Sequence, residues 1–101
     1  MTDAEISKAL ALAIGYSPNH VHFKYGITWV FRQDDWSGFD YRDWNVIGPI
    51  AERYDCFPLR SETSIGQWVT RVRGNRFSGN FIYEDTPQKT IAMAVIEGAK
   101  K

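Results

Sequence analysis

At 101 residues, with 44% hydrophobic and 15% aromatic content including four Trp, the chain has the size and apolar mass for one domain, residues 1–101, around a single core, which excludes a disordered polypeptide. Twelve basic and twelve acidic residues cancel, so no global charge drives it toward nucleic acid or an anionic membrane. A lone cysteine, Cys56, excludes an internal disulfide and any CxxC pair, no run approaches about eighteen apolar residues, and the acidic, interrupted N-terminal segment is unlike a signal peptide, so the expected setting is a soluble protein of the reducing cytoplasm, away from membranes.

Thr2-Asp3-Ala4-Glu5 has the form of a capping box and predicts the first helix, with Ile6, Ala9, Leu10 and Ala13 as its apolar stripe and Gly15 as its stop. Tyr16-Ser17-Pro18-Asn19 reads as a turn. Residues 20 to 33 are rich in β-branched and aromatic side chains and predict two strands, 20 to 25 and 27 to 33, hinged at Gly26. Asp34-Asp35-Trp36-Ser37-Gly38 has loop chemistry. Asp43 is a good N-cap for a second helix over 43 to 54, with Trp44, Ile47, Ala51 and Tyr54 on its buried face and Ile50 at the edge. Gly48-Pro49 marks either a kink or the true start of the regular helix, because Pro49 has no N–H for the Asn45 carbonyl. A phosphate-cradling loop is a poor reading of that dipeptide, since it needs several glycines and usually a Lys or a preceding strand.

Beyond Cys56, a short edge strand near Pro58-Leu59 and a turn at 61 to 64 lead into residues 65 to 73, which alternate in polarity as a strand. Trp68, Thr70 and Val72 fall on one side of it, Val69, Arg71 and Arg73 on the other. Gly74-Asn75 predicts a turn, residues 76 to 83 a last strand interrupted near Ser78-Gly79-Asn80. Thr86-Pro87 starts the final helix, with Ile91, Ala94, Val95, Gly98 and Ala99 as its buried stripe. The expected fold is therefore α+β, in the order α-β-β-α-β-β-(β)-α: a twisted antiparallel sheet of four to five strands with three helices packed on it as a layered sandwich.

Two segments carry a family resemblance. FDYRDWNVIGPIAER is similar to the aromatic-Asp-x-x-Asp-Trp-x-x-Gly-Pro-Ile-x-Glu-Arg pattern of the phage NinX proteins, and DTPQKTIAMAVIEGAKK resembles the Thr-Pro-x-x-x-x-Ala-Met segment near their C-terminus. The plan of helix, Trp-containing strand, central helix, Trp-containing strand and Thr-Pro helix also resembles the phage ABA-sandwich domains. The resemblance implies a small phage or prophage accessory protein of a bacterial host, with a layered α/β/α-like fold and no assigned reaction. In that light Gly48-Pro49 is a fold signature.

No residue set predicts catalysis, a metal or another cofactor. His20 and His22 share a strand face but lack a third ligand, Asp34, Asp35, Asp40 and Asp43 miss the EF-hand spacing, and nothing beside Cys56 argues for a lowered thiol pKa. The expected activity is non-enzymatic protein binding, inhibiting a host defence system or modulating a host factor. Its expected surface is the acidic and aromatic segment Asp34, Asp35, Trp36, Asp40 and Tyr41, because an exposed Trp is a common interface anchor. The alternative is a nucleotide or single-stranded nucleic-acid binder using Trp68, Arg71, Arg73 and Arg76, since arginines beside aromatics hold phosphates and stack bases. A third reading is a homodimer with no small ligand, its copies attracted through residues 34 to 55 (six acids, two Arg, net −4) and 56 to 83 (four Arg, one Glu, net +3).

Overall fold

The computed structural model describes residues 1–63, 67–72 and 81–100, and each of the three predicted helices is present there. Helix α1 spans Asp3–Ala13. The Thr2 hydroxyl oxygen accepts the Glu5 N–H at 3.2 Å and the Thr2 N–H reaches Glu5 Oε1 at 2.9 Å, so two amides that a helix start would orphan are both satisfied. Gly15, at φ 114°, ends the helix in a conformation that other residues resist. The buried face is Ile6, Ser7, Leu10 and Ala11, rotated from the predicted stripe, and Ala9 and Ala13 are only half-buried.

Helix α2 spans Trp44–Tyr54 and starts where Asp43 caps the Asn45 N–H at 2.9 Å. The helix runs without a break from Trp44 to Tyr54, so Gly48-Pro49 lies inside it and is not its start. Its buried residues are Ile47, Ile50 and Ala51; Trp44, expected in the core, is 52% exposed. Asp55 closes the helix at φ 53°, a left-handed position that Asp tolerates better than most residues. Helix α3 spans Pro87–Ala99, with the Thr86 side chain accepting the Lys89 N–H at 3.2 Å and proline in the first turn. It buries Thr90, Ile91, Ala92, Ala94 and Val95, while Ala99 is exposed.

The strands depart from expectation in number and grouping. Strands β1 (Val21–Lys24), β2 (Ile27–Arg32) and β3 (Asp35–Gly38) form one antiparallel sheet, and β4 (Leu59–Arg60), β5 (Trp68–Arg71) and β6 (Phe81–Glu84) form a second. The described residues thus hold two three-stranded sheets where one of four to five strands was expected, and β3 occupies the segment read as a loop. The cause is the Gln33-Asp34 turn. Both residues have positive φ, 53° and 62°, and Arg32 pairs with Asp35, so a two-residue turn of the twist that hairpins favour folds the chain straight back along β2. Tyr25-Gly26 does the same between β1 and β2. The first sheet is therefore complete before α2 begins, and strands after α2 pair among themselves.

Helices join the two sheets. Helix α1 packs on β1 and β2, α3 packs on β5 and β6, and α3 also contacts both α1 and α2. Ile6, Leu10, Val30, Ile47, Val72 and Ile91 belong to one continuous buried cluster that runs through this junction. The buried hydroxyl of Thr70, on β5, has no hydrogen-bond partner among the described residues. No helix among the described residues is long and apolar enough to cross a membrane.

Candidate functional site

Strand alternation sorts the first sheet into two unlike faces. Val21, Val30 and Ser37 lie in register on the inner face, where Val21 and Val30 meet the core. On the outer face His22 pairs with Trp29, and Phe31 pairs with Trp36. With His20, which precedes β1, four of these rings form an unbroken row. Centroids lie 5.5 Å apart from His20 to Phe31, 5.2 Å from Phe31 to Trp36 and 4.8 Å from Trp36 to His22. These tilted contacts, within the distances that aromatic pairs favour, hold the indole of Trp36 in place although it remains 39% exposed.

The Trp29 indole N–H donates to the Lys24 carbonyl at 3.0 Å, which ties its ring to the end of β1. A shallow groove of about 420 Å³ runs beside Trp36, between Trp29, His22, Lys24 and Tyr25. Tyr25 stands at the hairpin tip, 83% exposed, with the Lys24 ammonium 5.2 Å from its ring centre. This face presents fixed aromatic surface with polar atoms at the rim, the composition of interface anchors.

The five residues of the predicted protein-binding segment do not form one surface. Asp34 is in the exposed turn and Asp35 opens β3, where its carboxylate accepts the Trp36 N–H at 2.8 Å. Trp36 is on the open face. Tyr41 is 2% exposed, so it is a core residue and no partner reaches it. Its N–H donates to Ser7 Oγ at 3.1 Å and its hydroxyl donates to Asp3 Oδ1 at 2.5 Å, which explains why Ser7 is buried on α1. Asp40 is engaged by Arg42 through Nε at 3.0 Å and Nη2 at 2.7 Å, and Arg42 Nη1 reaches Asp3 at 3.2 Å. Gln88 of α3 donates to the Arg42 carbonyl at 3.3 Å. Residues 39 to 42 therefore strap α1 to α3.

Charge follows that geometry. The Arg42 hydrogen bond holds the Asp40 carboxyl below its usual range, and Asp40 in turn raises the guanidinium. Burial pushes the Tyr41 phenol well up, reinforced by its hydrogen bond to the Asp3 carboxylate.

The nucleotide candidates are divided too. Trp68 shares a strand face with buried Thr70, and the Arg60 guanidinium lies 5.3 Å from its ring centre. Arg71 is three residues on, hence on the opposite face, paired in register with Phe81. Arg73 and Arg76, with the predicted Gly74-Asn75 turn, lie outside the described residues. Cys56 is buried after α2, whereas His20 and His22 sit on the outer face of the first sheet against Phe31 and Trp36. Among the described residues no three His, Cys, Asp or Glu side chains converge on a metal-sized site.

Sequence reasoning singled out Trp36 but missed its neighbours. The signal was available: once 35 to 38 is taken as a strand, residues 22, 29, 31 and 36 fall on one face by alternation and all are aromatic or imidazole. Comparison of the chain with family models, with curated proteins and with solved structures finds no match.

Proposed function

We propose that this chain is a non-enzymatic accessory protein of phage or prophage origin that binds another protein, a host defence component or host factor, through the outer face of its first sheet. The phage assignment rests on the motif resemblance around Gly48-Pro49 and Thr86-Pro87. One observation supports the binding mode: Trp36 is held between Phe31 and His22 while more than a third of its surface remains open to solvent. A partner that covers a fixed indole loses little side-chain entropy in binding it, so the gain from burial is largely retained. The acidic turn at Asp34 gives the rim a sign and favours a partner with basic residues around an apolar pocket.

The test is capture from bacterial lysate followed by titration of the captured protein. Wild type retains a partner, and Trp36→Ala weakens it by about 2 kcal/mol, roughly thirtyfold, as expected of an interface anchor. Equal affinity of the two proteins, with thermal melts showing both folded, would falsify the reading. The nucleotide reading has less support, because Trp68 and Arg71 lie on opposite faces of β5.

A further inference from the structure

The inner face of the first sheet is only partly covered. Helix α1 lies over β1 and β2, and α2 packs toward α3, so a groove of about 410 Å³ is left between β2–β3 and α2, closed at one end by the C-terminus of α1. That volume is within the range of about 300–1,000 Å³ typical of small-molecule sites. Its floor is apolar, with Val30 of β2 and Ile50 of α2 both buried. Tyr16, just after α1, and Tyr54 of α2, both half-buried, contribute aromatic surface to its lining.

Two cations line this groove. Arg32 comes from the end of β2 and Arg53 from the last turn of α2, and both are exposed. Among the described residues no carboxylate lies within ion-pairing distance of either one. Asp35, the cross-strand neighbour of Arg32, instead accepts the Trp36 N–H. The Arg53 guanidinium carbon is 5.3 Å from the Tyr54 ring centre, an arrangement that keeps its N–H fork near the aromatic wall. A flat apolar body would fit the floor and walls, and an anionic head would meet guanidinium groups suited to phosphate or carboxylate.

The geometry points to a second site, distinct from the outer face: the groove between β2–β3 and α2 binds a small anionic ligand with a planar apolar body, its phosphate or carboxylate held by Arg32 and Arg53. Trp36 lies on the other side of the sheet, so this site is independent of the proposed protein-binding face.

The experiment titrates the folded protein with 1-naphthyl phosphate, 1-naphthol, adenosine 5′-monophosphate, 1-naphthoate and inorganic phosphate, by calorimetry and by amide shifts at Val30, Tyr16 and Ile50. Naphthyl phosphate should bind at least about tenfold more tightly than naphthol, because hydrogen bonds to charged groups are worth that much or more. Arg53→Gln and Arg32→Gln should each weaken it by about tenfold, while Trp36→Ala should leave it unchanged. The monophosphate and the naphthoate arms then distinguish a nucleotide from an aromatic acid as the ligand class. Equal affinity for naphthol and naphthyl phosphate overturns the proposal, as does unchanged affinity in both Arg variants. Absence of shifts at the three reporters with every anion also overturns it. Both arginines are exposed, and a melt of each variant separates lost binding from lost folding.

Discussion

Trp36 and Tyr41 stand five residues apart in one acidic, aromatic stretch, and their surroundings have opposite consequences. Trp36 sits on a strand whose residues are all exposed, supported from the side by Phe31 and His22. Tyr41 sits in a strap whose side chain and backbone both bond to α1, deep enough to be 2% exposed. Similar chemistry therefore divides into a surface that a partner could reach and a tie that holds the helices. What separates them is position after the Gln33-Asp34 turn: β3 ends at Gly38, and the chain then meets α1, where Tyr41 bonds to Ser7 and Asp3.

The sharpest way to break this contrast is Tyr41→Ala, which removes a buried ring and its hydroxyl bond to Asp3 while leaving the backbone N–H bond to Ser7. We expect a loss of about 3–5 kcal/mol in urea unfolding, the range for large aromatic residues cut to alanine in a core. A loss below about 1 kcal/mol would place Tyr41 with the surface residues. Trp36→Ala comes next and should show the reverse profile, about 2 kcal/mol lost in partner affinity and about 1 kcal/mol or less in folding stability, since only its ring contacts are given up.

Tyr41→Phe keeps the ring and deletes the hydroxyl bond to Asp3, and it should cost about 1 kcal/mol with partner affinity unchanged. The same variant tests the alkaline limb. Because the folded state holds the Tyr41 phenol above its ordinary 10.0, its contribution is complete below that value and falls as pH rises beyond it. Wild type should lose stability above about pH 10 with a slope that Tyr41→Phe lessens.

The smallest effect is at acid pH. Arg42 holds Asp40 below its ordinary 3.8, so this pair contributes fully above that value and is lost as pH falls through the lower folded value. Asp40→Asn should flatten the acid limb of the stability profile below about pH 4, by a small amount because both side chains are partly in water. An unchanged limb would mean that the Asp40–Arg42 pair adds nothing to the strap, which is then held by Tyr41, Gln88 and the Arg42–Asp3 contact.

Local signals carried the helices. The Thr2 and Asp43 caps, the Thr86-Pro87 start and the glycine stop at Gly15 depend on neighbours within a few residues, and each is where the sequence placed it. Buried faces were less legible. Ser7 and Ile50 replaced Ala13 and Trp44 in the core, because which arc of a helix is buried depends on what lies against it. The candidate site was legible to the extent of Trp36. Its companions depended on reading 35 to 38 as a strand, and turn residues with positive φ other than Gly or Asn leave a weak mark in sequence.

By itself the sequence determined an α+β chain with three capped helices, an aromatic-rich pair of strands around Gly26 and a Trp outside the obvious core. These follow from backbone propensity, capping and the periods of 3.6 and 2, all of which act over short separations. Only the tertiary structure decided that the strands divide into two sheets, that Tyr41 is buried while Trp36 is open, and that Arg32 and Arg53 face one groove. Each of these outcomes depends on contacts between residues far apart in the chain, and short-range patterns do not encode which distant surfaces meet.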